Sequence, residues 1–120
     1  MLVVDDGATF RRAAAAVLAA TEGFVLAGVA TSGEEAVTYL EQRRVALVLM
    51  DVRMPGMGGI RAAGEIRRRF PGVVVVLLSM YRTHELSVAV ASSDAQFCRK
   101  DQFGPEQLEK LWHDGRPSRG

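Results

Sequence analysis

The stretch "VLMDVRMPGMGG", residues 48–59, falls into two halves. Val48, Leu49 and Met50 continue an apolar run that starts at Val45, and the run stops at a carboxylate, Asp51. The chain then turns through Pro55, Gly56, Gly58 and Gly59. A short aliphatic run with no polar alternation is the pattern of a strand covered on both faces, and such strands belong to parallel sheets. A strand of that kind with a single acid at its tip needs partners for the charge, and they must come from elsewhere in the chain.

Working outward from this run, four more short apolar segments read as strands, at 2–4, 24–30, 73–78 and 95–98, beside the one at 45–50. Helical spacing separates them. Phe10, Ala13, Ala14, Val17 and Leu18 make one stripe, and Ala36, Val37 and Leu40 a second. Ile60, Ala63, Ile66 and Phe70 make a third, and Leu86, Ala89 and Val90 a weaker fourth. Leu108, Leu111 and Trp112 make a fifth, opened by Gly104-Pro105 with proline at a tolerated early helical position. The alternation predicts a (βα)₅ chain, a doubly wound α/β domain around a parallel sheet. That domain is expected over 1–113, with the polar segment 114–120 as a flexible tail.

Composition agrees with this and narrows the partners. The chain has 120 residues, 48% hydrophobic and 24% charged, with a formal net charge of +1. That is enough chain to bury one core, and the charge balance calls for neither nucleic acid nor an anionic membrane. Acids at Asp5 and Asp6 stand where a signal peptide would carry basic residues, and no apolar run approaches the roughly 20 residues of a membrane span. Cys98 is the only cysteine, which fits a reducing cytoplasm and a small core residue. The expected location is cytoplasmic.

Open α/β sheets bind ligands beyond the carboxyl ends of their strands. The first strand ends in Asp5-Asp6, the third in Asp51, the fourth in Ser79, and the fifth leads into Lys100. Taken singly, the paired acids read as helix N-capping, Ser79 as a turn residue and Lys100 as a solvated charge. Their joint occurrence at successive strand ends favours a single site. Carboxylates about 5 Å apart repel by roughly 3 kcal/mol per pair at an effective dielectric near 20, so the site needs a cation. Oxygen-only ligands point to Mg²⁺, and carboxylate, metal, lysine and hydroxyl are the parts of a phosphoryl-transfer site. On this reading Asp51 is placed to be phosphorylated.

The segments "LVVDD" (2–6), "LVLMDVRMPGMGG" (47–59), "VVLLSM" (75–80) and "FCRKD" (97–101) resemble the response regulator receiver domain of the CheY-like superfamily, closest to its NarL-type branch. The resemblance implies a flavodoxin-like strand order 2-1-3-4-5. It implies that Asp51 takes a phosphoryl group from a sensor histidine kinase or a phosphotransfer protein, and that the domain is a signalling acceptor and not an enzyme. Asp6, Asp51 and the backbone carbonyl of Arg53 would hold Mg²⁺, with Asp5 reaching it through water. Lys100 would pair with a phosphoryl oxygen, and Ser79 and Phe97 would be the switch residues. The interaction face, also that of a homodimer, would be the fourth helix, fifth strand and last helix, with Leu86, Val90 and Trp112 as contact candidates. Three positions depart from the family pattern: Gly58 replaces the usual acid before the third helix, Met80 follows the switch serine, and Asp94 precedes the fifth strand.

Two outputs fit this reading. One is a stand-alone receiver acting on a partner protein; the other is the receiver part of a transcription regulator whose DNA-binding domain lies outside these residues. No helix-turn-helix pattern is present, so no direct nucleic-acid binding is expected of this chain. A Mg²⁺-dependent aspartyl-phosphate phosphatase would need an acid two residues after the nucleophile, where Arg53 stands. A flavin or nucleotide binder on the same fold would need a glycine-rich loop where "DDGATF" stands.

Overall fold

A computed structural model of the chain describes residues 1–54, 56–80, 83–93 and 95–116. Pro55, Asp94 and residues 117–120 of the expected tail lie outside the described residues.

The elements alternate as the periodicity requires: β1 (Leu2–Val4), α1 (Ala8–Ala20), β2 (Gly28–Ala30), α2 (Gly33–Gln42), β3 (Leu47–Asp51), α3 (Gly59–Arg69), β4 (Val74–Ser79), α4 (His84–Ser93), β5 (Gln96–Arg99), a 3₁₀ turn (Lys100–Gln102) and α5 (Pro105–Gly115). The strands form one parallel sheet in the expected order β2-β1-β3-β4-β5.

Side chains alternate across this sheet, so each face has its own core. Val4, Val48, Met50, Val75 and Leu77 point to one side and pack under α2, α3 and α4 with Ala36, Leu40, Ala63, Ile66 and Val90. Val3, Leu49, Val76 and Leu78 point to the other and pack under α1 and α5 with Ala14, Leu18, Leu108 and Leu111. The buried free thiol of Cys98 belongs to this second core, as its size suggests. Double coverage explains why β3 and β4 carry no polar residue before their tips.

Helix ends follow local chemistry. Ser32 caps α2 by accepting from the Glu35 N–H at 3.1 Å, and Glu35 in turn accepts from the Thr31 hydroxyl at 3.1 Å. The start of α3 is held differently. Gly58 sits at φ 77° and ψ 158° with no side-chain cap, in a region open essentially to glycine alone. The missing acid at this position is therefore matched by a backbone that an acid would adopt only under strain. Gly59, next to it, lies so close to β3 that a Cβ there would collide with the carbonyl of Asp51.

The second strand is shorter than the expected 24–30. Only Gly28–Ala30 pair with β1, whose ladder is Leu2–Val4. Phe24 instead turns its ring edge-on to Trp112, centroids 6.5 Å apart, and Val25 is 76% exposed. Residues 24–27 are apolar, but they approach β1 only through Met1, which donates to the Val25 carbonyl and accepts from the Ala27 N–H. The first strand keeps its expected bounds, and those of β3, β4 and β5 shift by one or two residues. Helix α5 continues to Gly115, so Asp114 and Gly115 lie in the helix and not in the tail expected from 114. Ala13 of the first stripe is exposed, while Ala14 and Leu18 carry that helix's burial.

Candidate functional site

The parallel sheet brings the carboxyl ends of all five strands to one edge. Asp5 follows β1, and its N–H donates to the Ala30 carbonyl at 3.0 Å, which extends the β1–β2 pairing by one residue. Asp51 is the last residue of β3 and lies opposite Leu78. Ser79 ends β4 opposite Arg99, and Lys100 opens the 3₁₀ turn after β5.

Asp5, Asp6 and Asp51 converge as expected. Each offers a carboxylate oxygen, and these oxygens lie within 4.8 Å of one another. Asp5 and Asp51 are buried and Asp6 is exposed, so the cluster opens to solvent on the Asp6 side. Lys100 joins them. Its Nζ donates to Asp5 Oδ2 at 2.7 Å and stands 3.4 Å from Asp51 Oδ1. Three carboxylates against one ammonium leave the cluster two charges negative when all are ionised, which suits a hard divalent cation.

Asp51 carries the consequence of this crowding. Burial pushes its carboxyl above the ordinary carboxylate range, and the neighbouring Asp5 pushes it in the same direction. The Lys100 ammonium and the Arg53 N–H, which donates to Asp51 Oδ1 at 3.3 Å, pull it back only in part. A bound cation would complete that compensation.

Ser79 is buried at the same edge. Phe97 lies opposite Leu77, two residues below the Ser79 row, and packs partly buried against the core under α2, α3 and α4. Two of the expected contact candidates are displaced from the face assigned to them. Val90 is a core residue, because α4 turns it toward the sheet. Trp112 packs against the α1–α5 core and Phe24, beside a cavity lined by Met1, Ala46 and Leu47 at the opposite edge of the sheet. Among the described residues, the large apolar side chains that α4 and the β4 end leave exposed are Val88, 55% exposed, and Met80, 50% exposed.

Four residues support the site without having been singled out from the sequence. The Gly7 N–H donates to Asp5 Oδ1 at 2.7 Å, so both oxygens of Asp5 are engaged. Arg11 Nη1 donates to the Asp5 carbonyl at 2.7 Å. Glu34 Oε1 accepts from the Met57 N–H at 3.1 Å and ties the loop after β3 to α2. The ring of Phe10 lies under Lys100, its centroid 4.7 Å from Nζ. Phe10 already had an assignment in the apolar stripe of α1, which masks any second role. Gly7 acts through its own N–H, and Arg11 and Glu34 reach backbone groups of distant residues, so none of the three contacts leaves a mark in local residue pattern.

No helix among the described residues is long and apolar enough to cross a membrane. The family description "Response regulator receiver domain" matches residues 1–112. The Escherichia coli response regulator UvrY is 33% identical over 108 residues, covering 90% of this chain and 50% of its own length. A Pseudomonas syringae protein-glutamate methylesterase/protein-glutamine glutaminase is 38% identical over 111 residues, covering 92% of this chain and 28% of its own. The chain thus spans half or less of these curated relatives. Among solved structures, the signal receiver domain of the Mycobacterium tuberculosis response regulator NarL superposes with a TM-score of 0.85 at 23% identity, covering 93% of this chain and 94% of that one. A Borrelia burgdorferi CheX–CheY complex containing BeF₃ and Mg²⁺ superposes at 0.81 with 23% identity, covering 94% and 85%. Strand order, acidic pocket and family match agree, and the chain belongs to the response regulator receiver domain family, a class of phosphoacceptor signalling modules.

Proposed function

We propose that this receiver accepts a phosphoryl group on Asp51 from a phosphohistidine of a sensor histidine kinase or a phosphotransfer protein, in a Mg²⁺-dependent step. The observation that carries this reading is the convergence from three strand ends of Asp5, Asp6 and Asp51, with carboxylate oxygens within 4.8 Å of one another, and of Lys100, which pairs with Asp5 and Asp51. An Asp51 oxygen forms the new bond to phosphorus as the P–N bond breaks, and the electron pair leaves with the imidazole nitrogen. Lys100 stands where its ammonium can meet a phosphoryl oxygen added to Asp51. Asp6, Asp51 and the Arg53 carbonyl would hold Mg²⁺, and Asp5, with both oxygens already engaged, would reach it through water. When bound, the metal neutralises charge on nucleophile and phosphoryl group alike. The Borrelia complex, with Mg²⁺ and a beryllofluoride, supports this assignment on a shared fold.

The signal then leaves through Ser79 and Phe97. A hydroxyl drawn toward the phosphoryl group changes the packing at the β4 end, and the Phe97 ring on the neighbouring strand responds. The face so altered is that of α4, β5 and α5, where a partner protein or a second copy would meet Val88 of α4. The location that goes with these partners is the cytoplasm. Incubation with acetyl phosphate and Mg²⁺ followed by intact mass tests the reading. One added phosphoryl group on the wild type and none on Asp51→Asn is the expected result; equal gain by both would remove Asp51 as the acceptor.

A further inference from the structure

We propose that Phe10 is a positioning residue for Lys100, its ring forming a seat over which the ammonium moves between Asp5 and Asp51; the inference rests on the phosphoacceptor reading above. Lys100 has three neighbours of opposite electrostatic character to its charge: Asp5 at 2.7 Å, Asp51 at 3.4 Å, and the Phe10 ring at 4.7 Å from the centroid. Its side chain is only 13% exposed, so water supplies little of its solvation. In the resting geometry Asp5 holds the ammonium more closely than Asp51 does. A phosphoryl group on Asp51 draws the ammonium the other way, and the hydrogen bond to Asp5 must lengthen as it goes.

A carboxylate holds an ammonium at a point, whereas an aromatic face holds it over an area. The ring therefore keeps part of its attraction throughout the movement, and confines a side chain with four rotatable carbons to the site. Phe10 is itself fixed. It sits in α1, and its ring tilts against Phe103 at 6.3 Å between centroids. Phe103 closes the turn begun by Lys100, its N–H donating to the Lys100 carbonyl at 3.3 Å. Seat and cation are thus tied to the same turn.

The test compares phosphorylation by acetyl phosphate with Mg²⁺ in wild type, Phe10→Leu and Phe10→Tyr, each with and without Lys100→Met. Phe10→Leu keeps apolar volume and removes the ring. It should slow the reaction roughly fivefold, the rate equivalent of one partly desolvated cation–π contact, and Phe10→Tyr should restore most of the rate. In the Lys100→Met background, Phe10→Leu should change nothing further. Carbon-detected NMR of Lys100 should show ring-current-shifted Hε protons in wild type and Phe10→Tyr that return to ordinary positions in Phe10→Leu. An unchanged rate in Phe10→Leu, or the same slowing with and without Lys100, would overturn the proposal. A wild type that gains no phosphoryl group would sink the acceptor reading instead, and the Lys100 ring-current shift would still decide whether Phe10 seats the lysine.

Discussion

Lys100 donates to Asp5 at 2.7 Å across a separation of 95 residues, and the same ammonium stands 3.4 Å from Asp51. The acid with the fuller share of the lysine is therefore not the one proposed as nucleophile. Asp5 also receives the Gly7 N–H, while Asp51 is left with the more distant end of the lysine and the Arg53 N–H. This unequal division leaves Asp51 short of positive charge, as a site completed by a cation and a phosphoryl group requires.

The first prediction concerns pH. The Asp51 carboxyl is raised above its ordinary value of 3.8, chiefly by burial and then by Asp5. The folded chain therefore binds this proton more tightly than the unfolded chain does. With more protons bound in the folded state, stability is highest below the ordinary carboxylate value and falls as pH rises through the raised one. Without Mg²⁺, urea midpoints of wild type should decline over that interval, and Asp51→Asn should flatten the decline. The variant should also be more stable than wild type at neutral pH, where the buried carboxylate is charged in the wild type. A steeper decline in Asp51→Asn would contradict the assignment.

The second concerns the metal. Asp6 is the exposed member of the acid cluster and has the freest access to a cation. Asp6→Ala should weaken Mg²⁺ binding at least tenfold, as expected for loss of a direct carboxylate ligand. Lys100→Ala removes a competing positive charge, so it should bind Mg²⁺ no more weakly than wild type while slowing phosphorylation. Calorimetry or NMR titration is the appropriate measurement, because Trp112 lies at the opposite edge of the sheet. Equal affinity in wild type and Asp6→Ala would remove Asp6 from the metal shell.

The third concerns the entry to α3. A Cβ at Gly59 would meet the Asp51 carbonyl, so Gly59→Ala must push the helix away from the nucleophile's own backbone. It should cost more than about 2 kcal/mol and impair phosphorylation with it. Gly58→Ala meets no neighbouring atom and suffers only from φ 77°, for about 1–2 kcal/mol. Denaturant unfolding of the two variants should rank them in that order, and the reverse order would mean that α3 approaches β3 less closely than described.

The fourth concerns switching. Beryllofluoride with Mg²⁺ should move backbone amide resonances from Ser79 through Lys100, including Phe97 and the outward α4 positions near Val88. Ser79→Ala should confine the changes to the loops at Asp6, Asp51 and Lys100. Wild-type changes already confined to those loops would show a receiver that takes the ligand without relaying it.

Much of this molecule follows from patterns local in the chain. The (βα)₅ order is written in the contrast between unbroken runs such as 45–50 and helical stripes such as Ala36, Val37 and Leu40, because strands covered on both faces tolerate no polar alternation. The convergence of Asp5, Asp6, Asp51 and Lys100 follows in turn, since a parallel sheet carries every strand's carboxyl end to one edge. Tertiary structure alone decided what depends on distance. It confined β2 to Gly28–Ala30, the residues brought into register with Leu2–Val4 of β1, a pairing that apolar composition does not specify. It turned Val90 inward and left Val88 outward, because the weak stripe of α4 does not itself specify a rotation. It also set Asp5 and Asp51 at unequal distances from one lysine and placed Phe10 beneath that lysine, relations fixed by how α1 and the turn after β5 pack on the sheet.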